Sequence, residues 1–415
     1  MPSLPQRYDL IVIGGGAAGF FGAINAAEKS KGLRVLLLEK STKLLSKVKV
    51  SGGGRCNVTH HCFSPAPLSQ HYPRGQRPLK NMFHHFQASD TIAWFESRGV
   101  KLKAEEDGRM FPVTDNSQTI IDCFLNEAGR LRIEIQVSQE IIKIEPKQDY
   151  FLLHTSTAHF QAAQLLIAAG GYNKPEGYQW LANLGHEIAK PIPSLFTFND
   201  SEKEFTQLMG VAVPNAEVRI AGSKLSQRGA VLITHWGLSG PAVIKLSAWA
   251  AEDLFKQNYT FTTLVNWTGL QETEVRNLLM KLKGDNSKKQ ITSSPLFGLP
   301  KRLWEHLCTK AEIEEGKIWA DLPNKSINKL IEFLYACAFR IRGKTTFKEE
   351  FVTCGGVSLA DIDLKTMESK KIPNLYFAGE VLNLDGETGG FNFQAAWTTS
   401  YLAASAIAEK EKLQN

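Results

Sequence analysis

The sequence predicts an α/β fold in which both ends of the chain contribute to one parallel sheet and a β-rich segment is inserted between them. Two observations support this prediction. Residues 8–40 read as strand, glycine turn, helix and strand. Residues 375–406 repeat the order of apolar strand, turn glycines and helix, and small side chains on that helix allow close packing. At 415 residues the chain exceeds one ordinary core and should form two or three units.

The first glycine turn has the spacing of a dinucleotide-binding site. Gly14 allows a tight turn, Gly16 lets backbone amides reach a pyrophosphate, and Gly19 lets the helix lie close to the strand. The phosphates would then face a helix N-terminus. Glu39, twenty positions after Gly19, would accept hydrogen bonds from a ribose and disfavour a 2′-phosphate. Because the flanking runs LIVI and RVLLLE read as buried strands, we favour a nucleotide site over a structural turn.

Composition and charge restrict the class of protein. The net charge of +6 suits an anionic cofactor but falls short of a nucleic-acid signature, so we expect no nucleic-acid partner. Six scattered cysteines without a CxxC pair predict reduced thiols and no zinc or other metal site. The uncharged stretch Leu10–Ala27 contains five glycines and Asn25, which argues against a signal peptide or membrane span. We therefore expect a cytoplasmic protein with no membrane partner.

The middle of the chain has a different residue pattern from its two ends. After Pro193 the sequence becomes short alternating segments such as AEVRIAG and GAVLITH, which predict strands. Residues 271–310 are helical in pattern and rich in lysine, typical of a solvated face, and Ser326 is predicted to cap a helix through Cys337. We therefore assign a nucleotide-binding domain to 1–190 and 345–415, an inserted β-rich domain to 191–265 and about 312–344, and a helical insert to 266–311.

A second glycine-rich helix start, in DGETGGFNFQ, is what a flavin ring requires. When a flavin accepts a hydride, negative charge collects at N1 and the C2 carbonyl, and a helix N-terminus at 392–394 would stabilise it. Asp385 could hold the ribityl chain. The apolar strand that ends at Ala169 and Gly170 also indicates backbone close to a ligand. Together with the first turn, this motif favours an FAD site over the alternative that the segment is only a structural loop and helix N-cap.

The string SGGGRCNV at 51–58 is the third unusual segment. Consecutive glycines permit backbone dihedrals that side chains forbid, Arg55 could face a phosphate or an anionic substrate, and Asn57 could meet a ring edge. Cys56 and Cys62 have the spacing C-x5-C, whereas disulfide reductases of this general architecture use C-x4-C. We favour a packed Cys56 thiol over a redox pair.

Two further segments contribute candidate substrate contacts. His235, in THWGLSGP, follows a predicted strand and could bring a proton donor to the flavin, or could simply form a hydrogen bond in a turn. Both readings stay open. Arg109, in EEDGRMFP, is a candidate for binding a substrate anion.

Six strings together resemble a bacterial family of FAD-binding, NAD(P)/FAD-dependent oxidoreductases that includes aminoacetone oxidase-like and bile-acid dehydro-reductase-like flavoproteins. The strings are GGGAAG, SGGGRCNVT, EDGRMFP, THWGLSGP, GGVSLADIDLKTMESKKIPNLYFAGE and DGETGGFNFQ. The resemblance implies FAD, a Rossmann-like FAD domain of the glutathione reductase or fumarate reductase kind, an inserted β-barrel-like domain and a small helical domain. It implies no single substrate.

The resemblance also implies which residues bind FAD. Two positions depart from the family pattern: Ala169 stands where threonine is usual, and Cys354 where alanine is usual. By position, the ADP half falls to Gly14, Gly16, Gly19, Glu39 and Lys40, the adenine to the backbone of Val137, the pyrophosphate and ring to Arg55, Cys56 and Asn57, and the flavin half to Gly379, Asp385, Asn392, Phe393 and Gln394, with Ala169 and Gly170 beside them.

We therefore expect an FAD-dependent oxidoreductase that exchanges a hydride between the flavin and a small organic substrate or NAD(P)H. Because only one dinucleotide fingerprint is visible, NAD(P)H would be a transient electron donor. Three alternatives stay open: a thiol-disulfide reductase using Cys56 and Cys62, a flavin enzyme acting on transfer RNA, and a non-catalytic flavin-bearing sensor or scaffold. The motifs select neither a substrate nor an oligomeric state.

Overall fold

A computed structural model describes residues 6–345 and 352–414. The chain divides into two units, Met1–Pro193 with Phe347–Asn415 and Ser194–Thr346. The strands are β1 (Gln6–Ile13), β2 (Val35–Leu38), β3 (Thr59–His60), β4 (Leu102–Ala104), β5 (Arg109–Pro112), β6 (Glu134–Gln136), β7 (Ile141–Pro146), β8 (Phe151–Thr155), β9 (His159–Ile167), β10 (Ile188–Pro193), β11 (Thr197–Asp200), β12 (Ala212–Ile220), β13 (Ser226–Ile233), β14 (Gly237–Ser239), β15 (Thr260–Asn266), β16 (Cys337–Thr345), β17 (Thr353–Val357) and β18 (Leu375–Phe377). The helices are α1 (Ala17–Lys29), α2 (Ser46–Gly54), α3 (Pro65–Ser69), α4 (Gln76–Met82), α5 (Ala88–Glu96), α6 (Gln118–Arg130), α7 (Gln179–Ala182), α8 (Pro241–Trp249), α9 (Ala251–Lys256), α10 (Glu272–Asp285), α11 (Lys301–Lys310), α12 (Asn324–Ala336) and α13 (Phe391–Gln414).

The central sheet of the first unit has the strand order β6-β2-β1-β9-β8-β7, and β18 also pairs with β9. Strand β1 runs parallel to β2 and β9, with Leu10 opposite Val35 on one side and Gln164 on the other. Strand β18 is parallel to β9, so the end of the chain adds a strand to the sheet that its start builds. The LIVI segment of β1 and the VLLL segment of β2 are buried, as expected in a sheet covered on both faces.

Helices α1 and α13 pack closely because small residues face each other. A Cβ added at Gly22 would lie 2.5 Å from the side chain of Leu166 and 3.7 Å from that of Ser400. The Ser400 hydroxyl donates to the carbonyl of Ala18 at 2.9 Å. A cluster of buried aromatic rings fills the space beside the two helices. The ring centroid of Phe21 lies 4.7 Å from that of Trp94 and 5.2 Å from that of Trp397.

The second unit contains a closed barrel with the order β11-β14-β13-β12-β15-β16, accompanied by helices α8–α12. Strand β16 shows the alternation of a barrel wall: Phe339 and Ile341 are buried, whereas Arg340 and Arg342 are exposed. The predicted α/β fold, with its inserted barrel and helical region, is confirmed.

The predicted cap of the helix near Ser326 is wrong. Helix α12 begins at Asn324, directly after Pro323, and Ser326 is buried in its first turn. Proline at the helix entry has a fixed φ and lacks an N–H that the first turn leaves unpaired in any case. The helix also ends before Cys337, which begins β16. In residues 6–345 and 352–414, no helix is long and apolar enough to cross a bilayer.

Candidate cofactor site

The turn between β1 and α1 requires glycine at two of its three predicted positions for steric reasons. Gly14 has φ +116°, and a Cβ there would lie 2.3 Å from the carbonyl oxygen of Ala168, just beyond β9. A Cβ at Gly19 would lie 1.8 Å from the carbonyl oxygen of Gly14. Real Cβ atoms do not approach so closely, so these glycines allow α1 to lie against β1 and β9.

Gly16 is different, because a Cβ there would meet no heavy atom of the described residues within 4 Å. It is the N-cap of α1 in extended conformation, and no side chain in the described part of the chain caps the first turn. The first amides of α1 therefore face open space with the positive end of the helix dipole behind them. This cradle fits the pyrophosphate of a dinucleotide.

The Glu39 carboxylate lies at the carboxyl end of β2, where the ribose of such a dinucleotide would lie. Its Oε2 accepts a hydrogen bond from the Gly15 amide at 2.8 Å, and its Oε1 accepts one from the Ser41 amide at 2.9 Å. Each oxygen keeps a further lone pair for a ribose hydroxyl. Two backbone amides thus hold the carboxylate in position next to the glycine turn.

Val137 follows β6, the strand that pairs with β2. The amide of Glu39 donates to the carbonyl of Gln136, and the amide of Gln139 donates to the carbonyl of Glu39, both at 2.9 Å. Val137 is therefore beside Glu39, and it is 38% exposed. Lys40 is exposed, with its ammonium 4.8 Å from the ring centroid of Tyr172. These residues surround the edge of the sheet at which the adenosine half is predicted to bind.

We predict that Glu39→Ala weakens FAD binding about 30-fold, or about 2 kcal/mol, since it removes the ribose acceptor and the partner of two amides. Titration of the apoprotein with FAD measures the change. Glu39→Gln, which keeps one oxygen acceptor, is the matched control and should lose less affinity. Unchanged affinity in Glu39→Ala would remove this carboxylate from the site.

Gly379 lies where the second glycine-rich region contacts the turn between β1 and α1. It has φ +76°, and a Cβ there would lie 2.8 Å from the Cβ of Ala18 in the first turn of α1. Its amide donates to Thr399 Oγ1, on α13, at 3.0 Å. Ala169 is also close, because a Cβ at Gly14 would lie 2.9 Å from its Cα, and Gly170, at φ +74°, faces open space. The start of α1, the end of β9 and α13 thus meet around one region.

The three glycines of SGGGRCNV all adopt positive φ, at 57°, 69° and 84° for Gly52, Gly53 and Gly54. Such a run is accessible only to glycine. A Cβ at Gly53 or Gly54 would meet none of the described heavy atoms within 4 Å, whereas one at Gly52 would lie 2.8 Å from the Phe111 ring. The segment therefore presents bare backbone on one side and packs against β5 on the other.

Arg55 and Arg109 belong to a surface network of charges. The Arg55 guanidinium lies 2.5 Å from Glu105 Oε1 and stacks at 3.9 Å on the Phe111 ring, and the bond to Glu105 raises its pKa. Arg109 pairs with Glu105 at 2.8 Å and with Asp107 at 2.7 Å. Asn57 is buried, and its Oδ1 accepts a hydrogen bond from the Met110 amide at 3.2 Å. An anion at Arg55 would compete with these carboxylates.

Cys56 is fully buried with φ +62°. Burial raises the pKa of its thiol to about 12, against a smaller opposing effect of a hydrogen bond with Ser51. The attacking species in thiol-disulfide exchange is the thiolate, and Cys56 stays protonated at neutral pH. Neither Cys56 nor Cys62 is in a disulfide. These observations disfavour the thiol-disulfide reductase alternative.

We predict that Cys56→Ser leaves the rate of flavin reduction within about twofold of the parent, since a protonated, buried thiol contributes no nucleophile. Cys56 should also resist a thiol reagent at pH 8, while partly exposed Cys62 reacts. Peptide mass mapping after labelling checks this order. Preferential labelling of Cys56, together with loss of turnover in the serine variant, would contradict it.

The loop before α13 carries the residues predicted for the flavin half. Asn392 closes this loop on itself: its Oδ1 accepts from the Gly386 amide at 2.8 Å and its Nδ2 donates to the Gly386 carbonyl at 2.9 Å. Phe393 stacks on Trp397 at 5.5 Å. Asp385 is fully buried, and Arg74 donates to both its oxygens, through Nε at 2.6 Å and through one terminal nitrogen.

The Gln394 side chain is in the core. Its Oε1 accepts hydrogen bonds from Thr59 Oγ1 at 2.6 Å and Thr91 Oγ1 at 2.9 Å, and its Nε2 donates to Thr398 Oγ1 at 3.1 Å. It therefore fastens α13 to β3 and α5. His235 lies in the second unit, in the turn between β13 and β14, where it is exposed with its ring 4.0 Å from that of Trp236.

Sequence reasoning missed three polar residues near this loop: Arg74, His71 and Glu387. His71 Nδ1 lies 3.1 Å from Glu387 Oε2, and Glu387 is only 5% exposed. His71 and Arg74 lie in a short loop without a motif, more than 300 positions from their partners. The available signal was Glu387 inside DGETGG, because an acidic residue is unusual in a turn that is buried.

Comparisons with known proteins identify a family and several relatives that match almost the whole chain. The family described as HI0933-like protein Rossmann domain matches residues 8–406. The chain is 29% identical to a ribosomal RNA dihydrouridine synthase of Haemophilus influenzae, over 98% of this chain and 100% of that protein. It is 28% identical to the Escherichia coli protein of the same name, over 97% and 98%. It is 25% identical to a 3-dehydro-bile acid delta(4,6)-reductase of Clostridium scindens, over 96% and 98%.

Among solved structures, two steroid dehydrogenases share the fold. A 3-ketosteroid-delta4-(5alpha)-dehydrogenase of Rhodococcus jostii matches with a TM-score of 0.53 and 14% identity, covering 97% of both chains. A 3-ketosteroid delta1-dehydrogenase of Sterolibacterium denitrificans matches with a TM-score of 0.51 and 13% identity, covering 98% of this chain and 100% of that one. At these identities the likeness is one of fold.

Proposed function

Because the chain belongs to the HI0933-like family of FAD-dependent oxidoreductases, we propose that it reduces a carbon–carbon double bond conjugated with a carbonyl group. The observation that carries this proposal is the shared chemistry of its full-length relatives. Dihydrouridine is uridine with its ring double bond, conjugated to a carbonyl, reduced. A delta(4,6)-reductase acting on a 3-dehydro bile acid likewise reduces double bonds conjugated to a ketone.

The cofactor is FAD, and the chain's own residues fit both of its halves. Bound FAD supplies the hydride that the β-carbon of a conjugated double bond accepts. Open backbone at Gly16 and the fixed Glu39 carboxylate suit the ADP half, and the closely packed turn at Gly379 suits the half that carries the ring. NADH and NADPH are the electron donors to test, since one dinucleotide fingerprint leaves no dedicated second nucleotide domain.

Within this substrate class we place a uridine of ribosomal RNA first. Two relatives carry that activity in their names, and the distribution of charge supports it. Residues 194–346 contain 20 Lys and Arg against 15 Asp and Glu, so they hold +5 of the net charge of +6. Residues 281–302 contain six Lys and Arg against Asp285, and most of the six side chains are exposed. Clustered cations of this kind favour a phosphate backbone.

This proposal differs from the expectation of no nucleic-acid partner, which rested on the charge of the whole chain. The net charge is modest because the first unit, with 28 basic and 27 acidic residues, is almost neutral. The second unit alone is clearly basic. Averaging over the chain therefore hides a local excess of cations.

The experiment is an anaerobic oxidative half-reaction. The enzyme is first reduced with NADH, NADPH or dithionite and is then mixed with ribosomal RNA lacking dihydrouridine, with a uridine-containing oligonucleotide, or with a 3-keto-4-ene steroid and cyclohexenone. We expect reoxidation of the flavin and two added hydrogen atoms in the product by mass spectrometry. Reaction with RNA that weakens steeply with salt supports the uridine substrate. Reaction with the enones alone supports a small-molecule substrate, and reaction with none of them contradicts the proposed function.

A further inference from the structure

We propose that His71, oriented by Glu387, donates the proton that completes reduction of the conjugated double bond. This inference rests on the proposed function and adds a catalytic residue to it. The two residues are joined twice: His71 Nδ1 lies 3.1 Å from Glu387 Oε2, and the Glu387 amide donates to the His71 carbonyl at 2.9 Å. A histidine bound through one ring nitrogen to a carboxylate presents the other nitrogen for proton transfer.

The burial of the pair matches these roles. The Glu387 side chain is 6% exposed, whereas that of His71 is 33% exposed. A buried carboxylate is costly unless it is paired, and the contact with His71 Nδ1 supplies Glu387 with one such partner. Nε2 of His71 has no hydrogen-bond partner among the described residues, and this nitrogen is not buried. The ring is therefore held at Nδ1 and accessible at Nε2.

Aromatic packing fixes the ring at the start of α13. The His71 imidazole stacks on Phe391, with centroids 4.1 Å apart and planes 12° apart, and Phe391 is the first residue of that helix. The neighbouring Tyr72 hydroxyl donates to the Phe391 carbonyl at 2.6 Å. The His60 ring is also close, with its centroid 4.6 Å from that of Phe391 and 5.9 Å from that of His71, and its Nδ1 lies 3.1 Å from the Gly389 carbonyl oxygen.

Three titratable groups therefore face His71 from the packed elements: Glu387 from the loop before α13, His60 from β3, and Tyr72 beside it in the chain. Burial keeps the pKa of the Tyr72 phenol well above its ordinary value, so this group stays neutral. The only negative charge among these three groups is the Glu387 carboxylate. It holds the His71 ring at Nδ1, so that Nε2 is left for proton transfer.

The chemistry of a conjugated double bond requires such a donor. When bound and reduced, FAD would supply a hydride to the β-carbon of the substrate, and the π electrons would move to the carbonyl oxygen to form an enolate. The enolate then re-forms the carbonyl as its α-carbon takes the proton from His71 Nε2. The substrate has gained one hydride and one proton, FAD has been oxidised by two electrons, and neutral His71 recovers its proton from solvent. General acid catalysis of this kind contributes on the order of 10²-fold or more to a rate.

The test compares His71→Gln and Glu387→Gln with His84→Gln, which replaces an exposed histidine of the same unit outside this cluster. We expect all three variants to retain FAD and to be reduced by NAD(P)H or dithionite at the parent rate. In the oxidative half-reaction, His71→Gln should be at least ~100-fold slower, Glu387→Gln intermediate, and His84→Gln unchanged.

A readout independent of turnover comes from nitrogen NMR of protein labelled at histidine. Nδ1 of His71 should carry a hydrogen-bonded proton in the parent, and this signature should weaken in Glu387→Gln, which replaces the carboxylate by a neutral acceptor. If His71→Gln fails to fold or to bind FAD, His71→Ala with added imidazole takes its place, and recovery of the oxidative rate supports the proposal. A parent-like oxidative rate in His71→Gln, or a defect in His71→Ala that added imidazole does not repair, overturns it. If the parent protein reduces no substrate although the NMR signature is present, the proposed function fails instead.

Discussion

Gly16→Val is expected to fold like the parent and to bind FAD about 1,000-fold more weakly, a loss of about 4 kcal/mol. The added side chain meets open space in the protein, and φ at this position, −94°, is ordinary for any residue. In the proposed complex the pyrophosphate of FAD would occupy the same space. Displacing it would break two or more charge-assisted hydrogen bonds, each contributing about 1.5–3 kcal/mol. Titration of the apoprotein with FAD measures the loss, and thermal unfolding without FAD confirms the fold.

Two other glycines supply the controls for this prediction. Gly129→Val also adds a side chain facing open space, in α6 of the same unit, and should leave FAD affinity unchanged. Gly19→Ala should instead destabilise the protein itself, because its Cβ would lie 1.8 Å from the Gly14 carbonyl oxygen. Parent-like FAD affinity in a folded Gly16→Val protein would mean that the phosphates lie elsewhere.

Arg74→Ala is expected to lower the free energy of unfolding by about 3–5 kcal/mol. The Asp385 carboxylate is fully buried, and Arg74, whose side chain is 12% exposed, donates to both of its oxygens. Truncating the arginine leaves a buried charge without this partner, which is far more costly than losing an exposed ion pair. Chemical denaturation of the apoprotein at pH 7 measures the change.

The matched control is Lys47→Ala. Lys47 pairs with Glu380 at 2.5 Å, but the lysine side chain is 53% exposed, so the loss should be below about 1 kcal/mol. The double variant Arg74→Met with Asp385→Leu removes both charges and should recover most of the stability. Equal, small losses in Arg74→Ala and Lys47→Ala would show that the Arg74–Asp385 pair contributes no more than a surface contact.

The first half of the candidate site could be predicted from sequence because its requirements are local. Gly14 and Gly19 are required by atoms of the turn itself or of the adjacent strand, as the 1.8 Å approach of a Gly19 Cβ to the Gly14 carbonyl oxygen illustrates, whereas Gly16 leaves room for a ligand. Glu39 lies at the end of the adjacent strand, a position that the spacing of the motif determines. The alternating texture after Pro193 likewise predicts the strands of the barrel, since a barrel wall alternates inward and outward residues.

For the second half of the site, the sequence predicts which segment is involved but not what its individual side chains contact. The motif DGETGGFNFQ indicates a helix start, yet the roles of its side chains depend on contacts more than 300 positions away. Gln394 joins Thr59 and Thr91 in the core, and Asp385 joins Arg74. No local pattern predicts such pairs, because they form only when α13 packs against the segments that precede β4.

We expect the ADP half of the cofactor to be the main source of its binding, and one comparison tests this prediction directly. FAD and FMN carry the same isoalloxazine ring, but FMN lacks the adenosine that Glu39 and the glycine turn would hold. Calorimetric titration of the parent apoprotein should show FAD binding at least ~100-fold more tightly than FMN. Equal affinities for the two, or no binding of FAD to the folded protein, would contradict the site described here.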